Sequence, residues 1–374
     1  MVYSLGQKTE SDGIMKEILT AIGNEFRLPG YIIAYDVEKR GNINCTYRVK
    51  YRLPDGKVKY YIFQKINTYV FKNPEEIMAN IDLVTTHIQG KKKDAPTLYF
   101  YHTKDRKNYV YDVDGGFWRV MNYIDSITFN SCENLDVIQA TGEAFGEFQM
   151  QLADLDGSRL YETIPDFHNT EKRLNTLFDH VAADELGRVA SVKKEIDYIA
   201  SVREKATELS RRYNRGELPV RVTHNDTKAN NVLFDKVNFK PLVVIDLDTV
   251  MPGMSMYDFG DAIRFIANTA EEDEPDLSKV SLDVSKFMAF SRGFIGKAKN
   301  SLTKAELDNM VLAAFSISVE LASRFLDDYI TGDKYFKILY PEHNIDRTRC
   351  QLHLAKDIER KFDVLQTIVR EITK

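Results

Sequence analysis

The sequence predicts an α+β fold of two lobes, an antiparallel β N-terminal lobe with one inserted helix, then a mainly helical C-terminal lobe. Three observations predict it. The chain has 374 residues, more than one hydrophobic core usually spans, so two lobes with separate cores are expected. Between residues 31 and 124 apolar and polar residues alternate with a period of two, the pattern of half-buried strands. From residue 135 the period lengthens to that of amphipathic helices, interrupted only by a strand-forming stretch at 222–248, VTHNDTKANNVLFDKVNFKPLVVIDLD. The expected domains are 1–124 and 125–374.

In chain order, residues 14–26 carry apolar side chains at helical spacing and are stopped by Pro29-Gly30. Segments 31–37, 46–52 and 58–66, rich in Tyr, Ile and Val, read as a three-stranded meander, its second turn marked by LPDG. Asn73-Pro74 announces the inserted helix, because proline at the first helical position gives up an N–H that has no partner there. Strands at 97–103 and 108–113 and a third in FWRVMNYI complete the lobe. Helices are expected at 135–155, 171–183 and 191–213, and after the interruption at 257–269, 284–297, 304–329 and 347–373.

Composition narrows the function. A net charge of −5 gives no basic footprint for nucleic acid. Three scattered cysteines, Cys45, Cys132 and Cys350, suggest reduced thiols rather than a disulfide framework or zinc site. The N-terminus lacks the basic head, apolar run and cleavage site of a secretory leader, and no segment reaches membrane length without charge, so a cytoplasmic protein without a membrane partner is expected. Oligomeric state is left open.

The chemistry concentrates in 222–248. His224, Asp226 and Asn231 fit H-x-D-x-x-x-x-N after a strand, and Asp246 ends a second strand, the catalytic-loop and metal-aspartate pair of the protein kinase-like fold. Phosphoryl transfer asks the protein mainly to hold magnesium among phosphates and to orient a hydroxyl. Asp226 is the candidate base, and Asn231 and Asp246 are the candidate Mg²⁺ ligands. Lys228 is placed to neutralise charge on the transferring group, and Asp248 is a supporting carboxylate. His224 reads as a structural imidazole. The letters Asp258-Phe259-Gly260 spell a kinase magnesium motif, but their helical periodicity makes Asp258 a helix residue that caps or braces.

No Walker A sequence is present, so ATP needs another cradle. The turn containing Gly41, Asn42, Ile43 and Asn44 is the candidate phosphate cover. Lys65 is the candidate phosphate lysine, with Glu75, Glu76 or Asp82 of the next helix as its partner. Met121 and Tyr123 mark the hinge where adenine would be held.

On THNDTKANNVLFD, VIDLDTVMPG and YDFGDAIR the chain resembles the aminoglycoside phosphotransferase and choline kinase superfamily, and within it the N-acetylhexosamine 1-kinases. RGNINCTY, FQKIN, ETIPDFHNT, RFLDDYITGDKYF and EHNIDRTRCQL extend the resemblance over nearly the whole chain. It implies a two-lobed enzyme that uses ATP and Mg²⁺ to phosphorylate the anomeric hydroxyl of N-acetylglucosamine or N-acetylgalactosamine, with Asp226 at that hydroxyl. It also suggests Arg324, Tyr335 and His168 as sugar contacts. The residues themselves leave Arg324 open to an ion pair with Asp327 or Asp328, and Tyr335 to simple packing. A kinase of another small hydroxylated acceptor, or a nucleotide-binding scaffold, stays open too; a scaffold needs none of Asp226, Asn231 and Asp246. Asn225 stands where protein kinases carry arginine, and no A-P-E segment follows, so control by activation-loop phosphorylation is not expected.

Overall fold

A computed structural model of the chain describes residues 3–38, 43–91 and 96–374, with side chains from residue 13 onward. It divides into two compact units, Met1–Asp125 and Ser126–Lys374.

In the first unit, α1 (Tyr3–Glu25) precedes the meander β1 (Tyr31–Glu38), β2 (Cys45–Arg52) and β3 (Val58–Lys65). Then come α2 (Pro74–Lys91), β4 (Val110–Tyr111) and β5 (Phe117–Asn122), giving an antiparallel sheet of order β1-β2-β3-β5-β4. Alternation gives the sheet two different faces. Tyr47, Val49, Tyr61, Phe63, Trp118 and Val120 bury one face against Leu19 and Ile22 of α1 and Phe26 just after it. On the other face Arg119 reaches Met78 of α2, with Nη1 3.7 Å from Sδ. The strand expected at 97–103 is reduced to a bridge, Phe100 with Met121. Besides backbone bonds from Tyr101 to Val120 and from Asn122 to Tyr99, the Asn122 amide accepts from the Tyr99 N–H at 2.8 Å and donates to the Thr97 carbonyl at 3.0 Å.

The second unit contains α3 (Leu135–Leu152), α4 (Thr170–Ala183), α5 (Lys193–Asn214), and four short strands: β6 (Arg221–Thr223), β7 (Val232–Phe234), β8 (Pro241–Val244) and β9 (Met251–Gly253). After them come α6 (Ser255–Ile266), α7 (Val284–Ala298), α8 (Lys304–Asp308), α9 (Met310–Thr331), α10 (His343–Arg360) and α11 (Phe362–Thr373). The stretch 222–248 is therefore not one hairpin. β7 pairs with β8, while β6 pairs with β9 beyond the stretch.

The core runs along α9, whose Val311, Ala314, Phe315, Val319 and Leu326 are fully buried. α3 and α7 approach so closely that a Cβ on Gly142 would lie 2.3 Å from the Phe290 carbonyl oxygen, and one on Gly293 would lie 2.1 Å from that of Gln139. The expected helix at 304–329 breaks at Asn309, whose side chain donates to the Ala305 carbonyl at 2.7 Å and ends α8. The one at 347–373 breaks at Lys361, whose ammonium bonds the Leu282 carbonyl and Asp357, both at 2.7 Å. Among the described residues no helix is long and apolar enough to cross a membrane.

Candidate active site

The loop between β6 and β7 is held from beneath by α6. Asp258, in the first turn of that helix and 1% exposed, accepts the N–H of His224 and of Asn225, each at 2.8 Å, and the Gln149 amide at 2.7 Å. A buried carboxylate needs such donors. Burial raises its pKa, against the pull of the nearby His224 and these hydrogen bonds. Asp261 accepts the Thr227 N–H at 2.9 Å. Asp258 thus braces the loop, and Phe259 is packed among Phe287, Phe290 and Phe294.

His224 is fully buried, its ring edge-on to Phe145 and Phe148. Nε2 lies 2.9 Å from the Ile245 carbonyl and Nδ1 accepts the Asp226 N–H at 3.3 Å, so both nitrogens serve the backbone. Asn225 takes a left-handed conformation, φ 63°. Its amide fixes that turn by donating to the Thr249 carbonyl at 2.9 Å and accepting from the Thr223 hydroxyl at 3.0 Å.

Three of the sequence candidates meet at one oxygen. Asp226 Oδ2 lies 2.8 Å from Lys228 Nζ and 3.2 Å from Asn231 Nδ2, which also donates to the Asp226 carbonyl at 2.8 Å. Burial works against the charge on Lys228, but Asp226, and behind it Asp246 and Asp261, raise its pKa. With its amide nitrogen turned to Asp226, Asn231 leaves its side-chain oxygen without a hydrogen bond among the described residues.

Asp246 follows β8 in a left-handed conformation, φ 62°. Among the described residues its carboxylate has neither a hydrogen bond nor an ion pair. The residue is exposed, yet its pKa rises to about 6, first because the protein packed around the carboxylate desolvates it and then through Asp248 and Asp226. Negative charge gathered at Asp246, Asp248 and Asp226, with Asn231 bonded to Asp226, suits a divalent cation. No group of three His, Cys, Asp or Glu side chains among the described residues forms a protein-only cage. Magnesium keeps water and phosphate oxygens in its shell and takes one or two protein ligands. Asn231 and Asp246 fit that part.

Next to Asp226 opens a cavity of about 270 Å³, lined by both rings and charges. Arg324 lies in it with its guanidinium 5.3 Å from the Phe167 ring centre and 5.7 Å from that of Phe336, and it has no ion pair among the described residues. The alternative pairing with Asp327 or Asp328 is not made. Asp327 bonds His180 at 2.6 Å, and Asp328 accepts the N–H groups of Lys334, Tyr335 and Phe336. This clamp decides the two aromatics that follow. Phe336 turns inward against Phe325, ring centres 4.6 Å apart, and Tyr335 turns outward, 70% exposed. Tyr335 is the expected sugar contact that does not line the cavity. His168 does line it, between Glu320 and the loop.

The sequence reading missed Glu320, Arg264, Glu272, Phe167 and Phe336 in this cavity. Phe167 and Phe336 neighbour residues that were singled out. Glu320, in the middle of an apolar helix, was the available signal, since a lone carboxylate there has to be paired.

In the first unit the expected ion pair of Lys65 with α2 is corrected. Lys65 shares its face of β3 with Tyr61 and Phe63, the α1 side, and pairs with Asp112 at 3.2 Å. Asp112 also accepts the Trp118 indole N–H at 2.7 Å. Glu75 meets the Tyr109 and Tyr111 hydroxyls, Glu76 meets Asn73, and Asp82 meets His102. The polar residue that β3 turns toward α2 is Gln64, bridging the Thr46 hydroxyl and Arg119 Nε, both at 2.9 Å. Gly41 and Asn42 lie outside the described residues. Ile43 is exposed, and Asn44 accepts the Asn67 N–H at 3.0 Å. Met121 and Tyr123 stand at the end of β5, near the boundary between the units.

The phosphotransferase enzyme family matches residues 48–280. This chain belongs to that family. Its fold is kinase-like, as solved structures show. A microcompartment-associated aminopropanol kinase is 15% identical, with 95% of this chain and 98% of that chain covered and a TM-score of 0.60. An aminoglycoside phosphotransferase from Alicyclobacillus acidocaldarius is 13% identical, with 94% and 96% covered and the same TM-score of 0.60. A choline kinase from Cryptosporidium parvum is 12% identical, with 97% and 99% covered and a TM-score of 0.52.

Proposed function

We propose that this phosphotransferase uses ATP and Mg²⁺ to phosphorylate the anomeric hydroxyl of N-acetylhexosamines, N-acetylglucosamine or N-acetylgalactosamine, to the sugar 1-phosphate. The observation that carries the choice of acceptor is the charge pairing of the cavity beside Asp226. Every carboxylate that lines it has a cation: Asp226 has Lys228, Asp261 and Glu272 share Arg264, and Glu320 has His168. Arg324, Lys337 and Arg347 have no carboxylate partner among the described residues. A cavity with spare donors and no spare negative charge favours a neutral acceptor rich in hydroxyl and carbonyl oxygens over a choline or an aminoglycoside. Phe167 and Phe336 offer apolar surface to the less polar face of a sugar ring.

In this reading Asp226 accepts the proton of the acceptor hydroxyl as its oxygen bonds to the γ-phosphorus. The bond from that phosphorus to the bridging oxygen breaks, and ADP leaves with the electron pair. Lys228 offsets charge on the phosphoryl oxygens, and Arg324 orients the sugar. Asn231 and Asp246 would hold magnesium, which when bound neutralises phosphate charge. The nucleotide belongs to the first unit, residues 1–124 in the sequence reading, with Ile43, Asn44, Met121 and Tyr123 beside it. The test is a panel of acceptors with ATP, scored by ADP release and by the position of the new phosphate. Turnover of N-acetylhexosamines at the anomeric position is expected. If both are inert while an amino alcohol or aminoglycoside turns over, the acceptor reading fails and the phosphotransferase stands.

A further inference from the structure

His168 sits where its chemistry is overdetermined. Nδ1 lies 2.9 Å from Glu320 Oε1, and Nε2 lies 3.3 Å from the backbone carbonyl of Asn225. A carbonyl can only accept, and the Glu320 carboxylate is kept ionised by donors on both sides, its other oxygen taking the Thr170 hydroxyl at 2.6 Å. A neutral imidazole has one N–H and would leave a lone pair facing an acceptor. Only the imidazolium satisfies both contacts.

The contact at Nε2 falls on the peptide that matters. Asn225 is the left-handed residue immediately before Asp226, and its carbonyl belongs to the peptide joining the two. The opposite side of that turn is fixed by Asp258 through the Asn225 N–H. We propose that His168 is a positioning residue: carried as an imidazolium by Glu320, it holds the Asn225–Asp226 peptide and thereby aims the Asp226 carboxylate into the acceptor cavity. This rests on Asp226 being the group that meets the acceptor hydroxyl.

Other charges around the ring agree in sign. Burial opposes its charge, but Glu320, and farther off Asp261, favour it over the opposing Arg324, so its pKa is raised. Burial likewise works against the Glu320 charge, but His168, Thr170 and Arg324 hold its pKa below the usual carboxylate range. Tyr257 packs edge-on from α6, ring centres 5.8 Å apart, and is neutral because burial raises its own pKa. Arg173 on α4 donates to the Phe167 carbonyl at 3.4 Å, and burial and Arg324 lower its pKa against the pull of Glu320. With the folded pKa raised, the contribution of the charged ring is complete below the ordinary histidine value of about 6.5. It is lost as pH rises through the folded value.

The test uses the full chain, labelled with ¹⁵N in histidine and aspartate. Both ring nitrogens of His168, assigned by their disappearance in His168→Gln, should carry protons at neutral pH, and the Asp226 amide resonance should titrate together with the ring. Neither readout needs turnover, so they stand apart from the acceptor assay. With ATP and a working acceptor, kcat should fall as pH rises through that transition while KM for ATP is unchanged. Glu320→Gln should move the transition to lower pH, and His168→Gln should lower kcat about tenfold and remove the alkaline limb. A ring with one proton at neutral pH, or an Asp226 amide indifferent to the ring titration, overturns the proposal.

Discussion

The β3 strand of the first unit and the loop after β6 in the second both carry polar residues picked out for chemistry, and they fared differently. In the loop, Asp226, Lys228 and Asn231 converge on one carboxylate oxygen. On the strand, Lys65 turned away from the helix that was to pair with it and found Asp112 instead. A short loop brings its side chains together by its own turns. A strand residue has only two directions, and which of them is useful depends on what covers each face.

The largest effect is expected at Asp226. Asp226→Asn keeps the size but not the base, and kcat should fall by about 10³-fold with nucleotide binding retained, measured by steady-state assay and nucleotide titration. Near-normal turnover would remove the loop's claim to the chemistry. Next in size, Asp246→Ala should lower kcat/KM for Mg-ATP by about a hundredfold, followed as a function of magnesium concentration.

Asp258→Asn tests whether the loop is held from α6. An amide in place of a carboxylate sets a donor against the N–H groups of His224 and Asn225, and denaturant unfolding should register a loss of about 2–3 kcal/mol. Arg324→Ala should raise KM for the acceptor about tenfold, because it removes an oriented donor while leaving Asp226 in place. The smallest effect belongs to the strand. Lys65→Met should change KM for ATP by less than about threefold and stability by less than about 1 kcal/mol, since its pair with Asp112 is partly exposed. A large rise in KM for ATP would give Lys65 the phosphate role alongside its pair with Asp112.

Much of the fold was legible because periodicity is local. The meander, α2 after Asn73-Pro74, and the helices that pack around α9 lie within a few residues of where alternation and amphipathic spacing put them. The boundaries that differ lie at 97–103, where the Asn122 amide bonds the segment alongside backbone bonds to β5, and at Asn309 and Lys361, whose side chains bond the Ala305 and Leu282 carbonyls. The partners of Asn122 and Lys361 are distant in sequence, whereas Asn309 bonds the carbonyl four residues back.

By itself the sequence determined the order of elements and the spacing of Asp226, Lys228 and Asn231, because both follow from dihedral and side-chain preferences over a turn or two. It also named Asp258 as a helix residue despite its motif letters. The tertiary structure alone decided what stands opposite what. It brought Glu320 to His168 across 152 residues, Asp258 beneath the loop, and Phe167 and Phe336 around Arg324. Those pairings depend on which helix faces pack together, and that is settled by burying apolar surface over the whole unit rather than by any local run of residues.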